Sequence, residues 1–302
     1  MTTKSYQGNE IVLALGFFDG VHLGHQALLS ETIKIGKNIG CETGVMTFQE
    51  HPLELIFPNY TPWLITSNTE KETMIRDFGV DFVFINPFTE ELMKLTPEKF
   101  ITDYLLTKYN VKVIVVGFNY NFGYKGMGTT QTLQELGQKY GFSVVILPPF
   151  IINTHSVSST FIRELISCGQ VDEVSTYLGR KYTLSGIVIQ GKGLGHQFGI
   201  PTANLKLNKK IILPSTGVYY TSVHFKGRCL HGLTNLGFNP TFEKHPFSIE
   251  TYIYDFDEDI YNQEITIEFI KKIRDEIKFN TINDLINQIK KDISYIRSEY
   301  IK

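Results

Sequence analysis

Gly16-Phe17-Phe18-Asp19-Gly20-Val21-His22-Leu23-Gly24-His25 decides the reading of this chain. It follows the apolar run Ile11-Val12-Leu13-Ala14-Leu15, which reads as a buried strand. It precedes residues 26–39, where Leu28, Leu29, Ile33 and Ile35 fall on or near one helical face. Strand, glycine-rich turn and helix make a phosphate-binding architecture, because free N–H groups and the positive end of the helix point at the turn. His22 and His25 stand one helical turn apart, and Gly24 between them lets a ligand come close. Both rings can donate hydrogen bonds to phosphate oxygens, although one histidine alone is more often structural.

The surrounding pattern extends this reading. Residues 44–48, 81–85, 111–116 and 143–147 read as further strands, with helical stretches at 70–78 and 97–108. The alternation predicts an open, largely parallel α/β sheet. Ligands of such sheets sit beyond the carboxyl ends of the strands. Three segments lie there: His22 to His25, Gln49 to Pro52, and Gly117 to Gly128. Residues 158–167 and 171–178 read as short helices. From Tyr182 the texture changes to short strand-like runs at 183–190, 217–225, 228–235, 248–254 and 265–271, as in a small β-barrel. Ile282, Leu285, Ile286, Ile289, Ile293 and Ile296 recur at helical spacing, which predicts a terminal amphipathic helix on the barrel. The domain boundary is expected near residue 180, giving domains 1–180 and 181–302.

Bulk properties exclude several classes. The chain has 302 residues and a net charge of −2, with 13 basic and 18 acidic residues up to position 180 and 16 and 13 beyond it. Neither half is basic enough to imply a nucleic-acid partner. No 18-residue apolar run predicts a membrane span, and residues 1–10 lack the apolar core of a signal peptide. Cys41, Cys168 and Cys229 are few and scattered, which suggests a reducing compartment and argues against a cysteine-based zinc site. A cytoplasmic location is expected. Oligomeric state is not legible.

Two further segments suit a nucleotide. Ser158, Ser159 and Thr160 place hydroxyls at a helix start with Arg163 one turn on, a set fit for the β- and γ-phosphates of ATP or for plain N-capping. Gly117-Phe118-Asn119-Tyr120-Asn121-Phe122-Gly123 leaves a buried strand, with aromatics to stack on a flat ring and Asn119 to bind phosphate or ribose. The H-x-G-H arrangement resembles the nucleotidyltransferases that move AMP from ATP onto an acceptor. The three segments together resemble the adenylyltransferase module of prokaryotic riboflavin kinase/FAD synthetases. That resemblance implies a Rossmann-like nucleotidyltransferase domain that makes FAD and pyrophosphate from FMN and ATP. It assigns phosphate binding to Gly16, Phe17, Asp19, Gly24, Ser158, Ser159, Thr160 and Arg163, and flavin binding to Asn119 and Phe122. Asn119-Tyr120 stands where the module often has Asp-Phe, and Gln49 where it has an acidic residue.

In the second half, Gly186-x-x-x-x-Gly191-Lys192 imitates a P-loop, but Gly193 follows where Ser or Thr is required and the segment is strand-like. The dinucleotide fingerprint fails as well, with His196 at its third glycine. What remains is a glycine-rich flap, Gly191, Gly193 and Gly195, before Pro201-Thr202-Ala203-Asn204. The Thr202 hydroxyl and Asn204 amide oxygen point the same way from an extended chain and can share Mg²⁺ with ATP phosphates. With Asn235 to Phe242, Ile249-Glu250-Thr251 and Arg274-Asp275-Glu276, this half resembles the riboflavin kinase module. The resemblance makes Glu250 the general base on the ribityl 5′-hydroxyl, Thr202 and Asn204 the metal pair, the flap glycines ATP-binding and Arg274 flavin-binding. His196 replaces the usual flap arginine, Tyr252 a common histidine and Asn262 a glycine. The expected protein is bifunctional, with riboflavin, FMN and ATP as substrates and Mg²⁺ at both sites. An adenylyltransferase with a silent kinase, and a flavin-binding regulator, are the alternatives.

Overall fold

The computed structural model describes residues 5–56, 63–191, 195, 199–207, 210–238 and 247–301. The chain divides into two compact units, Met1–Ser159 and Thr160–Lys302.

The first unit is built on β1 (Ile11–Leu15), β2 (Glu42–Phe48), β3 (Phe82–Asn86), β4 (Val111–Gly117) and β5 (Ser143–Leu147), all parallel, in the order β3-β2-β1-β4-β5. β1 lies at the centre, and each of its residues is at most 1% exposed. Its apolar run is continuous because both faces are covered. Ile11, Leu13 and Leu15 join a core with Met46, Ile114, Phe100 and Leu133, while Val12 and Ala14 join another with Leu28, Leu29, Val45 and Ile75. Between β1 and β4 the chain order reverses, so the crevice at their carboxyl ends is the topological switch point where ligands of open α/β sheets bind.

The helix after β1, Leu23–Ile39, starts three residues before the apolar pattern because His22 caps it. Asn68–Asp77 opens on a complete capping box between Ser67 and Glu70. The stretch expected as one helix over 97–108 carries a π-helical segment, Phe100–Leu105, between the α-helical Pro97–Lys99 and Leu106–Lys108. Thr130–Tyr140 precedes β5. Two short strands, β6 (Ile151–Ile152) and β7 (His155–Ser156), pair through Asn153 and Thr154, both at positive φ.

The second unit begins with helices Ser159–Ser167, whose first residue belongs to the first unit, and Val171–Leu178. The latter buries Val171, Val174, Tyr177 and Leu178 and packs on the barrel. Compactness therefore groups both helices with the barrel, whereas the change of sequence texture falls near Tyr182. The barrel is β8 (Tyr182–Ile189), β9 (Ala203–Lys206), β10 (Gly217–Phe225), β11 (Arg228–Gly237), β12 (Ser248–Ile253) and β13 (Glu264–Arg274). It closes in the order β10-β11-β12-β9-β8-β13. Tyr182, Tyr219 and Phe269 are buried in it, with the Phe269 ring tilted against Tyr182 and edge to face with Tyr219. Its outer face at Val218, Tyr220 and Leu233 is covered by Ile296 of the terminal helix Ile282–Tyr300. β10 is therefore buried on both faces along most of its length.

That helix is also tied by charge. Arg274 Nε and Nη2 donate to Asp292 Oδ2 at 2.9 and 2.7 Å, and both side chains are largely buried. Removing one partner of a buried pair costs about 3–5 kcal/mol because the other charge is left uncompensated. Asp292→Asn should lower unfolding stability by about 3 kcal/mol in denaturant titration, and a change under 0.5 kcal/mol would contradict this reading.

Candidate active sites

The turn after β1 is backbone under constraint. Phe18, Gly20 and Val21 have φ of 58°, 79° and 40°. For the two residues other than glycine such conformations cost about 1–3 kcal/mol each and persist only where neighbours over-determine them. Those neighbours are visible. Ile65 N–H donates to both Asp19 carboxylate oxygens at 3.0 and 3.1 Å, and Thr66 N–H to Asp19 Oδ1 at 3.2 Å. Gly20 N–H donates to Thr66 Oγ1, and Ser159 Oγ to the Asp19 carbonyl. Thr47 Oγ1 donates to the Phe17 carbonyl at 2.8 Å. Asp19 is 2% exposed, so its carboxylate grips backbone, and the Ser159 hydroxyl likewise serves the turn.

The turn delivers two histidines face to face. The rings of His22 and His25 stack at 3.6 Å with 14° between their planes. His22 Nδ1 accepts the His25 N–H at 3.2 Å, which leaves Nε2 as the proton-bearing nitrogen of a neutral ring. Burial, then the neighbouring His22, then the charge of Lys71 hold His25 well below the usual histidine range. His25 is therefore neutral at pH 7. Its Nδ1 is buried and has no hydrogen-bond partner among the described residues. A buried polar atom in that state suits a ligand oxygen. Gly24 lies in the first helical turn, where an added Cβ would press on the His22 ring at 3.2 Å. Gly16 closes β1, its N–H donating to the Met46 carbonyl.

The lowered His25 value has a thermodynamic consequence. The folded value lies below the unfolded one, so on acidification the unfolded chain binds the proton first and stability falls as pH drops through about 6.5. Comparing His25→Gln with the parent at pH 7.5 and 5.5, the variant should lose less stability. An equal loss would place the proton elsewhere.

The other predicted segments of this unit are partly brought in. His51, after β2, meets Phe17 edge to face at 4.5 Å, so the ends of β1 and β2 converge. Asn119 is exposed on the loop after β4. Phe122 is buried in the core, stacked with Tyr120 and tilted against Phe100. The exposed apolar side chains of that loop are Phe118, Tyr124 and Met127. Ser158 is half-buried just ahead of helix Ser159–Ser167; Thr160 and Arg163 lie on that helix within the second unit. Sequence reasoning missed Lys71, which is 1% exposed and reaches the turn from helix Asn68–Asp77.

In the barrel, strand register assembles the second site. Glu250 pairs with Asn204 on β9 and with Asn235 on β11, so the three side chains share one face. Ile249 and Thr251 are buried on the other face, while Glu250, Asn204 and Asn235 are half-exposed. Ser248 Oγ donates to Glu250 Oε1 at 3.0 Å and orients it. Gly191 lies against Asn204: a Cβ there would come within 2.3 Å of its amide nitrogen. Thr202 is half-buried just before β9. Gly195 accepts the Ile200 N–H at 2.8 Å. Gly193, His196 and the segment 239–246 lie outside the described residues. The same register row continues from Asn235 to Val218 and Arg274, three strand spacings from Glu250, or about 14 Å measured along the curved sheet. Arg274 is engaged there by Asp292. Asn235 carries no local signal that sets it apart; only the register reveals it beside Glu250. Among the described residues no cluster of three or more His, Cys, Asp or Glu side chains forms a metal site.

Comparison with known proteins bears on both halves. The family described as FAD synthetase matches residues 4–161, and the family described as riboflavin kinase matches residues 178–300. A Bacillus subtilis protein named bifunctional riboflavin kinase/FMN adenylyltransferase is 38% identical over 93% of this chain and 90% of its own length. A Listeria monocytogenes protein of the same name is 35% identical over 100% and 96%. A crystal structure described as a macrolide-efflux protein from Streptococcus pneumoniae has a TM-score of 0.87 at 30% identity, covering 98% of this chain and 96% of that one. Among the described residues no helix is long and apolar enough to cross a membrane. The paired histidines of the first unit and the Asn204–Glu250–Asn235 row of the second are thus joined in one chain whose relatives span both: it belongs to the bifunctional riboflavin kinase/FMN adenylyltransferase family.

Proposed function

We propose that this chain makes FAD in two steps: riboflavin is phosphorylated by ATP to FMN in the barrel, and FMN is adenylylated by a second ATP in the α/β unit, releasing pyrophosphate. The observation that carries the reading is the coexistence of an orphaned His25 Nδ1 at a parallel-sheet switch point and Glu250 flanked by two amides on the barrel. We assign the functional halves to residues 1–180 and 181–302.

Adenylyl transfer needs no protein nucleophile. The FMN phosphate attacks the α-phosphorus, one P–O bond forms, and the bond to pyrophosphate breaks. The protein supplies position and hydrogen bonds to the developing charge. His22, from Nε2–H, and neutral His25 hold the phosphate oxygens, and the helix N-terminus beneath them adds its positive end. Gly16, Phe17, Asp19 and Ser159 act by shaping the turn. The assignment of Gly24, Ser158, Thr160 and Arg163 to phosphate, and of Asn119 and Phe122 to flavin, stays with the family resemblance.

In the kinase, Glu250 removes the proton of the riboflavin 5′-hydroxyl as that oxygen attacks the γ-phosphorus of ATP, with ADP leaving. Thr202 and Asn204 present neutral hard oxygens, which fit a Mg²⁺ that keeps waters and phosphates as its other ligands. Bound there, Mg²⁺ would neutralise charge on the transferring phosphoryl group. The missing Cβ at Gly191 keeps Asn204 reachable. His196 and Tyr252 stand where relatives of this type often carry Arg and His, so a slower kinase is expected. Co-product analysis tests the pairing of steps. Riboflavin with ATP should release ADP, FMN with ATP should release pyrophosphate, and both should stop with excess chelator. Flavin and ATP binding without either product would favour a regulator.

A further inference from the structure

A lysine carried by neither motif set lies at the heart of the first site. Lys71 is 1% exposed. Its Nζ donates to the Phe48 carbonyl at 3.0 Å, the Phe17 carbonyl at 3.2 Å and Thr47 Oγ1 at 3.3 Å, and lies 4.2 Å from the centre of the Phe17 ring. These three acceptors are neutral oxygens, two in the last residues of β2 and one just beyond β1. Burying an ammonium is expensive unless its hydrogen bonds are satisfied. A leucine or methionine would fill the same space at far lower cost, so the charge calls for a reason.

The placement supplies one. Residues 65–71 grip the turn twice: Ile65 and Thr66 hold Asp19 on its far side, and Lys71 holds Phe17 on its near side. Between these grips stands the left-handed residue Phe18, and the second left-handed residue, Val21, follows them immediately before His22. The capping box of Ser67 and Glu70 fixes the helix start that separates the grips. Thr47 completes the mesh, accepting from Lys71 and donating to the Phe17 carbonyl.

We propose that Lys71 is a positioning residue for adenylyl transfer, its buried ammonium locking the Phe17–His22 turn so that His22 and His25 meet the triphosphate already in place. The inference rests on the adenylyltransferase reading above. Its charge also contributes to keeping His25 neutral. A misplacement of catalytic groups by about 1 Å costs on the order of 10²-fold.

The test uses the full chain with Lys71→Met, of similar volume and no charge, and measures FAD formation from FMN and FMN formation from riboflavin in one preparation. FAD formation should fall about 10²-fold, mainly in kcat, with FMN formation within twofold of the parent. In NMR titration His25 should titrate at a higher pH than in the parent, a change that loss of packing alone would not produce. FAD formation within threefold of the parent overturns the proposal. So does a proportional fall in both activities, which would make Lys71 a general stabiliser. Should Lys71→Met fail to fold, Thr47→Val removes one acceptor and the Thr47–Phe17 bond at constant shape. It should cost FAD formation about tenfold, and no loss overturns the proposal. If the parent itself makes no FAD, the adenylyltransferase reading fails separately. Displaced amide resonances confined to residues 17–22 in Lys71→Met would then still support the locking role, and their absence would overturn it.

Discussion

Glu250→Gln lowers FMN formation about 10²–10⁴-fold, the contribution of a positioned general base, while FAD formation from supplied FMN stays within twofold. The substitution preserves shape and lets Ser248 keep donating to the remaining side-chain oxygen. It removes the negative charge and, with it, the capacity to take a proton. Asn204 and Asn235, the registered neighbours of Glu250, have no basic atom and cannot substitute for it. The loss should appear in kcat, with the KM for ATP little changed, because ground-state contacts survive. Initial rates with each flavin measure it, and thermal melting shows that the barrel is intact. Undiminished FMN formation would remove Glu250 from its role.

The mirror-image result is expected in the first unit. His25→Ala lowers FAD formation about 10²–10³-fold, as for loss of one donor to transition-state charge, and spares FMN formation. His22 needs a subtler change, because its Nδ1 also caps the helix through the His25 N–H. His22→Ala mixes loss of a cap, worth about 1 kcal/mol, with loss of the Nε2 donor. His22→Asn keeps a capping oxygen and loses the extended donor, so the pair separates the two contributions. Both variants should abolish most FAD formation, and only His22→Ala should also lower the melting temperature. Retained FAD formation in His22→Asn would reduce His22 to a cap.

Most of the scaffold is legible in the sequence because its signals are local. The run 11–15 is buried on both faces and reads as such, and 143–147, 171–178 and 217–225 coincide with observed elements. β9 is the instructive omission. Its four residues, two of them polar, read as part of a ligand motif, and their strand character comes from pairing with β8 and β12. The paired histidines were legible because three residues of spacing on a helix fix their neighbourhood. Lys71 was not: nothing local distinguishes it from a solvated helix lysine, and its burial depends on oxygens 23 to 54 positions away. Asn235 has the same history, since only register sets it beside Glu250. The roles of Arg274 and Phe122 rest on the resemblance alone. Arg274 is paired to Asp292, and Phe122 is packed in the core.

The central claim is that one chain performs both steps. Chromatographic separation of flavins after incubation with ATP and Mg²⁺, once with riboflavin and once with FMN, tests it most directly. The account predicts FAD from both incubations, with FMN appearing transiently from riboflavin. FAD from neither would contradict it.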